Sequence, residues 1–351
     1  MTRKSFHIPT VSPLTVGLIT TTRCTAACKD CCFGCNQSNH ETMDYNMIIN
    51  AIDNAVNSFP DIKLIVLTGG ECFLLGEETL ANIIRHIHKL GLRSRIVTNA
   101  FWATSFKKAY RTLLYLHECG LTEINVSTGD EHLKWVSLDN VIYAIVASVR
   151  NNMPISINIE SSVHKSFGAE DLLNDYRIRK YLESGLIYIV NGHWVSSSKI
   201  ESDPTKKDFA YISSGNTLRC TSIFTSPSIL PNGSVIACCG LTSQDHKSLT
   251  LGNVICSDLS SIFEKSIYDF IKLWIYTDGP FSLLKFCNEV NPQLPPIERD
   301  LHICEYCKIL YTNDDYFSTL TKHYRSKIPT LLGKFEILSN RIKNMNPKNI
   351  I

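Results

Sequence analysis

Six short apolar, β-branched runs alternate with longer helical stretches in the first half of the chain, and this pattern restricts the fold more than any other feature. The runs cover 14–20, 63–68, 94–98, 123–127, 155–160 and 186–190. The helical stretches cover 43–58, 78–90, 104–119, 131–150 and 169–183. Strands that alternate with helices predict parallel βα units. Because no seventh or eighth unit follows, we expect an α/β fold with a partial (β/α)6 TIM-type barrel.

The pattern changes after the sixth unit. Polar residues fill 197–219, as in a linker, and Pro231-Asn232-Gly233 separates two apolar runs, 222–230 and 234–237, as in a β-hairpin. A further helix is predicted over 257–276. We expect five parts: an N-terminal arm at 1–13, the barrel at 14–196, the linker at 197–219, a small C-terminal α+β domain at 220–320, and a basic, solvated helix or tail at 321–351.

The charge balance and the apolar runs argue against two classes of partner. The chain has 35 Lys and Arg against 33 Asp and Glu, a net charge of +2, which does not favour nucleic acid. No run is apolar over the length that a membrane span needs, and the first residues lack the apolar segment of a signal peptide. We therefore expect a cytoplasmic protein that binds neither nucleic acid nor a membrane.

The chain contains 14 cysteines, and most of them fall into two groups, at 24–35 and at 220–307. A cytosolic chain of 351 residues does not need disulfides to bury a core, so clustered cysteines indicate bound metal. Cys72, Cys119 and Cys256 have no partner at a ligand spacing, and we expect them in the core.

Cys24, Cys28 and Cys31 follow the first predicted strand with C-x3-C-x2-C spacing. In a parallel α/β barrel, the loops at the carboxyl ends of the strands carry the chemistry. Three thiolates can bind one face of an iron–sulfur cube and leave one iron open to a ligand. Cys35 as a fourth ligand would instead make an electron carrier, and zinc is another possibility. The cysteines alone do not decide, and the roles of Cys32 and Cys35 stay open.

Gly69-Gly70-Glu71 ends the second predicted strand. Two glycines let the backbone approach a ligand closely, and the carboxylate can accept from an ammonium group. A simple turn before a helix would explain a single Gly-Gly-Glu. Together with the cysteine loop, however, this motif resembles the radical S-adenosylmethionine (radical SAM) enzymes.

The resemblance covers most of the chain and implies a cofactor set. Cys24, Cys28 and Cys31 would hold a [4Fe–4S] cluster whose fourth iron binds S-adenosylmethionine. The residues implied to contact S-adenosylmethionine are Gly69, Gly70, Glu71, Thr98, Asn99 and Ser127. The reduced cluster would cleave the sulfonium and release a 5′-deoxyadenosyl radical, which abstracts a hydrogen atom from the substrate.

The end of the fourth predicted strand departs from the family pattern. Many relatives carry Ser-x-Asp there with a downstream His, whereas here Gly129 takes the place of the acid and Asp130 follows it. Asp130 can serve as a helix N-cap. In the alternative interpretation, Asp130 and His132 contact the substrate and are candidate catalytic residues.

The second group of cysteines also suggests a metal site. Cys220 and Cys238 bracket the predicted hairpin, and Cys304 and Cys307 form a later C-x2-C pair. This arrangement resembles the Twitch form of the Twitch/SPASM extension of radical SAM enzymes, and it implies one auxiliary [4Fe–4S] cluster. Either of two other thiols could replace one of the four, and zinc is the alternative metal. Those two thiols are Cys239 and Cys287.

A second cluster can accept the electron that a substrate radical loses, so we expect a net oxidation. The first hypothesis is cross-linking or dehydrogenation of a ribosomally made peptide. The alternative is dehydrogenation of a small alcohol, amino sugar or aminocyclitol, and a non-catalytic iron–sulfur electron carrier is more distant. Only 23 residues precede Cys24, so we expect a separate protein, the barrel mouth or the basic tail to capture a leader peptide. A flavodoxin or ferredoxin is the expected reductant.

Overall fold

Six parallel strands form the first half of the molecule, as the alternating apolar runs predict. The structure is a computed structural model that describes residues 11–161, 166–195, 219–244, 246–298 and 301–344. The strands are β1 (Thr15–Thr21), β2 (Leu64–Gly69), β3 (Arg93–Thr98), β4 (Glu123–Thr128), β5 (Ile155–Ser161) and β6 (Ile187–His193). Each strand pairs in parallel with the next. The expected α/β fold with a partial TIM-type barrel is confirmed.

Helices connect these strands, and some of them begin at polar residues whose side chains accept a hydrogen bond from the first helical turn. They are α1 (Tyr45–Ser58), α2 (Glu77–Lys89), α3 (Phe106–Glu118), α4 (Asp130–Leu133), α5 (Leu138–Arg150), α6 (Ala169–Asn174) and α7 (Tyr176–Arg179). The single helix predicted over 131–150 is divided into α4 and α5. It divides because Ser137 caps α5 by accepting a hydrogen bond from the Asp139 backbone N–H.

The predicted hairpin exists but is shorter than expected, and it extends the barrel sheet. Residues Ser222–Thr225 form a helical turn, α8, so only Ser228–Ile229 remains as strand β7; β8 (Ser234–Ile236) follows, and β9 (Thr250–Asn253) was not predicted. β7 pairs in parallel with β1, and the sheet order is β6-β5-β4-β3-β2-β1-β7-β8-β9. The C-terminal strands therefore lie directly beside the strand that leads to Cys24.

Helices make up most of the described chain after β9; the first of them packs on the barrel core through Leu259, Ile262 and Phe263, and the later ones enclose a second apolar core. The helices are α9 (Leu259–Ser266), α10 (Phe270–Asp278), α11 (Pro280–Val290), α12 (Ile303–Thr312), α13 (Asp314–His323) and α14 (Ile328–Asn344). The helix predicted over 257–276 is divided because Asp269 caps α10. Leu331 and Phe335 of α14 are buried in this core. The basic C-terminal helix is therefore packed on one face, whereas the sequence suggested a solvated helix.

Some of the expected parts lie outside the described residues. These are most of the N-terminal arm (1–10), nearly all of the predicted linker (197–218) and the end of the basic tail (345–351). Within the described ranges, no helix has both the length and the apolar composition needed to cross a membrane.

Candidate metal and cofactor site

Cys24, Cys28 and Cys31 border one cavity of about 210 Å³ at the carboxyl ends of the barrel strands. Backbone hydrogen bonds fold the loop that carries them: the Cys24 N–H donates to the Asn36 carbonyl at 3.0 Å, and the Cys31 N–H donates to the Cys28 carbonyl at 3.3 Å. None of the three cysteines lies in a helix or strand, so backbone hydrogen bonds within the loop help to bring their thiols to this cavity.

The other walls of this cavity come from the ends of the neighbouring strands. The residues predicted from sequence that border it are Gly69, Gly70, Thr98, Asn99, Ser127 and His132. The Asn99 side-chain amide donates to Cys24 Sγ at 3.7 Å and to Thr25 Oγ1 at 3.0 Å, so the end of β3 helps to orient the cysteine loop. Glu71 and Asp130 are not among the lining residues.

Gly69 and Gly70 have a packing role that the sequence did not predict. The Gly70 N–H donates to the Thr21 carbonyl at 2.7 Å, and the Glu71 N–H donates to the Arg23 carbonyl at 2.9 Å. A Cβ atom on Gly70 would lie 2.0 Å from the Arg23 carbonyl oxygen. The end of β2 thus approaches the segment that leads into the cysteine loop as closely as the backbone allows.

We expect Gly70→Ala to destabilise the protein by about 3 kcal/mol or more, because the new methyl group meets backbone that cannot move aside without displacing the loop. Gly168→Ala is the matched control, since no atom lies within 4 Å of its built Cβ and its φ is −149°. Urea unfolding followed by circular dichroism measures both variants. Equal free energies of unfolding would contradict the proposed packing role.

Glu71 is completely buried, and its carboxylate joins the ends of β2 and β3. It accepts hydrogen bonds from Thr98 Oγ1 at 2.8 Å, from the Asn99 N–H at 2.8 Å and from the Phe73 N–H at 3.2 Å. Thr98 Oγ1 in turn accepts from Ala100 N–H and Trp102 Nε1, so its hydrogen is available to the carboxylate. Both Glu71 and Thr98 are thus engaged with protein groups.

Burial raises the pKa of Glu71 from 4.5 to about 7, against the opposing effect of its hydrogen bonds from Asn99, Thr98 and Phe73. The folded state therefore retains this proton at pH values where the unfolded chain has released it. The resulting stability is complete below pH 4.5 and is lost as pH rises through about 7.

From this shift, the difference in unfolding free energy between wild type and Glu71→Gln should fall by about 3 kcal/mol between pH 4.5 and pH 8. Glutamine has no proton to release in this range, so it removes this group from the pH dependence. Denaturant titrations at several pH values measure the difference. A difference that does not change with pH would show that Glu71 does not titrate in this way.

The three thiols of the loop differ in their electrostatic surroundings. Burial raises the pKa of Cys24 to about 11 and that of Cys28 to about 12, and the Glu160 carboxylate adds to the effect at Cys28. A hydrogen bond from the Cys35 thiol lowers the pKa of Cys31 to about 6. A bound cation would be needed to deprotonate Cys24 and Cys28 near neutral pH, as metal ions do for their thiol ligands.

The donor set fits an iron–sulfur cluster, because cysteine thiolates are the usual protein ligands of such clusters. A four-iron cube binds each thiolate at a different iron and so holds the sulfur atoms apart, and the three thiols here border one cavity. In the parts of the chain that the structure describes, no three His, Cys, Asp or Glu side chains converge as for a single metal ion. Cys32 and Cys35 also border this cavity, so either thiol is placed to serve as a fourth protein ligand.

Asp130 and His132 have different positions. Gly129 is the N-cap residue of α4, so the expectation that Asp130 caps this helix is wrong. The Asp130 carboxylate accepts from the N–H and the hydroxyl of Ser166, outside the cavity. His132 borders the cavity, and its Nδ1 lies 2.7 Å from Glu160 Oε2. Sequence reasoning missed Glu160, although an acid at the end of an apolar strand was a visible signal.

The predicted auxiliary cysteines also share one cavity, of about 330 Å³. Its cysteines are Cys220, Cys238, Cys239, Cys304 and Cys307. A Cβ atom built on Gly240 would lie 3.2 Å from Cys238 Sγ and 3.4 Å from Cys304 Sγ, so this glycine leaves room between two of the sulfur atoms. Burial raises the pKa values of Cys238 and Cys307 well above the usual range for thiols.

Four further cysteines do not border this cavity. Cys287 is not among its lining residues; it is fully buried on α11 and donates to the Tyr316 carbonyl at 3.6 Å. Cys72 and Cys119 are buried in the barrel core, as predicted. Cys256 is exposed, so its predicted place in the core is wrong.

The two cavities are neighbours, because Asn158 of β5 and Leu241 border both of them. A group bound in the first cavity therefore lies beside the wall of the second.

No family model matches the sequence, and no curated protein matches it. Solved structures do match its fold. The hexahistidine-tagged form of anSMEcpe with bound AdoMet superposes on 96% of this chain and 97% of its own, with a TM-score of 0.55 and 14% sequence identity. Native anSMEcpe with bound AdoMet and Cp18Cys peptide covers 94% of this chain and 99% of its own, with a TM-score of 0.53 and 14% identity. The chain therefore shares the overall fold of these AdoMet-bound structures, and at the level of the fold the resemblance seen in the sequence is confirmed.

Proposed function

We propose that this chain is a radical SAM enzyme that cleaves S-adenosylmethionine reductively and oxidatively modifies a ribosomally made peptide. The observation that carries this proposal is that Cys24, Cys28 and Cys31 share one cavity with Gly69 and Gly70 at the carboxyl ends of the strands. The three thiols would hold a [4Fe–4S] cluster there, which when reduced would supply the electron that converts S-adenosylmethionine into methionine and a 5′-deoxyadenosyl radical.

The residues of the chain then have separate roles. The three thiols hold the cluster, and the Asn99 amide fixes the orientation of their loop through Cys24 and Thr25. We assign Gly69, Gly70, Asn99 and Ser127 to contacts with S-adenosylmethionine. Thr98 and Glu71 are engaged with each other, so we assign them to holding the ends of β2 and β3 together.

We further propose that Cys220, Cys238, Cys304 and Cys307 hold one auxiliary [4Fe–4S] cluster of the Twitch type. Four thiols around a second cavity support this assignment. The wall that the two cavities share supports a route for the electron that the substrate loses in a net oxidation.

A peptide substrate is supported by the native anSMEcpe structure, which was solved with Cp18Cys peptide bound. We propose that a flavodoxin or ferredoxin reduces the first cluster, and that a separate protein presents a leader peptide. A small alcohol or aminocyclitol is the competing substrate class.

Two measurements test the proposal. Anaerobic enzyme with dithionite and S-adenosylmethionine should form 5′-deoxyadenosine, whereas an iron–sulfur electron carrier would form none. A precursor peptide encoded next to this gene should then gain a cross-link or lose two hydrogens, as measured by mass spectrometry. Turnover of an aminocyclitol, with no change in such a peptide, would favour the competing substrate.

A further inference from the structure

His132 and Glu160 form a buried imidazole–carboxylate pair beside the first cysteine cavity. His132 Nδ1 of α4 lies 2.7 Å from Glu160 Oε2, near the end of β5. The Glu160 side chain is 4% exposed and the His132 side chain 15% exposed. His132 also borders the cavity that contains Cys28 and Cys31, whereas Glu160 lies behind it.

Gly129 makes room for this pair. It follows β4 with a φ of +134°, and a Cβ atom on it would lie 2.1 Å from Glu160 Cγ and 2.7 Å from Glu160 Cδ. Any other residue at position 129 would block the path of the carboxylate. Position 129 has no side chain, and the neighbouring strand brings the Glu160 side chain against this glycine.

The hydrogen bonds of Glu160 determine which imidazole nitrogen carries the proton. Its Oε1 accepts the Glu131 backbone N–H, and its Oε2 faces His132 Nδ1. Because a carboxylate only accepts, Nδ1 carries a hydrogen, and in the neutral imidazole Nε2 then has the lone pair. Among the described residues, no hydrogen bond to Nε2 is found, and the ring meets Trp194 edge-on at 5.5 Å.

The charged groups around the pair are otherwise engaged. Glu131 pairs with Lys134 and accepts from the Lys29 N–H, so its carboxylate does not compete for the imidazole. Cys28 and Cys31 are the thiols on the cavity side, and both are proposed ligands of the first cluster.

We propose that Glu160 is a positioning residue that holds His132 so that Nε2 faces the cavity and accepts the proton that the substrate loses. This inference rests on the proposed function. Oxidation of a CH–XH group to C=X, where X is the heteroatom that carries the second hydrogen, transfers one hydrogen atom from carbon to the 5′-deoxyadenosyl radical. The X–H bond then breaks as the C=X π bond forms: the proton goes to His132 Nε2, and the electron goes to the auxiliary cluster.

Carbethoxylation by diethyl pyrocarbonate tests the pair in the anaerobic holoenzyme, because this reagent reacts with an unprotonated imidazole nitrogen. Peptide mass spectrometry measures the rate of carbethoxylation at His132. In Glu160→Gln, the amide can donate to Nδ1 and shift the proton to Nε2, so labelling of His132 should slow roughly tenfold or more. Asp53→Asn is the matched control, since Asp53 pairs with His86 at 2.6 Å on the outer helices. It should change labelling of His86 and leave His132 unchanged.

Equal labelling of His132 in wild type and in Glu160→Gln with full iron content would overturn the inference. If Glu160→Gln loses iron, protection of wild-type His132 by S-adenosylhomocysteine replaces this comparison. Protection supports an Nε2 that faces the cavity, and labelling without protection refutes it. Formation of 5′-deoxyadenosine by the same wild-type preparation is measured in parallel. Its absence would count against the proposed function, whereas a failed labelling comparison with normal 5′-deoxyadenosine would count only against the pair.

Discussion

Replacing Cys24, Cys28 and Cys31 together with alanine is expected to remove about four irons per chain and to abolish formation of 5′-deoxyadenosine. All three thiols border the cavity that also contains Gly69 and Gly70. Without them the cluster has no anchor beside these glycines, so S-adenosylmethionine loses its metal contact. Iron analysis and chromatographic assay of 5′-deoxyadenosine under anaerobic reduction measure the two losses.

Cys256→Ala is the matched control for this triple variant, because Cys256 is exposed and borders neither cavity. It should keep its iron and its activity. Cys35→Ala tests whether Cys35 is a cluster ligand, since Cys35 borders the first cavity. In addition, Cys28, Cys32 and Cys35 repeat the C-x3-C-x2-C spacing. If Cys35→Ala also lost the four irons, Cys35 would be a ligand, and the assignment of the cluster to the first three cysteines alone would have to be abandoned.

Replacing Cys304 and Cys307 with alanine should remove a second set of about four irons while leaving 5′-deoxyadenosine formation in place. These thiols lie three residues apart on α12 and therefore share one helix face. The first cavity does not include them, so cleavage of S-adenosylmethionine should survive. Oxidation of the substrate should fail, because the electron then has no acceptor. Iron analysis and electron paramagnetic resonance of the reduced protein measure the loss.

Two single variants accompany this experiment and address the alternatives for the auxiliary ligands. Cys287→Ala should keep all its iron, because Cys287 bonds to the Tyr316 carbonyl away from the cavity. Cys239 borders the cavity, so Cys239→Ala tests whether it is a ligand. Full iron content in the Cys304 and Cys307 variant would mean that these thiols bind no cluster.

The sequence predicted the barrel because strand and helix periods alternate cleanly there. All six strands were placed to within three residues; the sixth, for example, was expected over 186–190 and is Ile187–His193. The spacing of Cys24, Cys28 and Cys31 predicted that they act together, and all three border one cavity. Short elements were less predictable: Ser222–Thr225 is apolar enough for a strand, yet it forms a helical turn ahead of the two-residue strand β7.

Contacts between residues on separate strands could not be predicted from the sequence. Thr128 of β4 lies opposite Ile159 of β5, which brings the next residues, Gly129 and Glu160, together. That register depends on the whole sheet, so the departure at Gly129 looked like the loss of an acid. Similarly, Gly69 and Gly70 border the first cavity, but nothing local indicated that the Glu71 carboxylate turns inward to Thr98.

The parallel pairing of β1 with β7 limits which fragments of this protein can be expressed in soluble form. The Gly17 N–H donates to the Pro227 carbonyl at 2.9 Å, and β1 has strand neighbours on both sides. A fragment that stops before residue 220 would leave β1 as a bare edge, and such an edge invites aggregation. The barrel thus depends on the C-terminal part to cover the edge of β1, and expression of the barrel alone should give insoluble material.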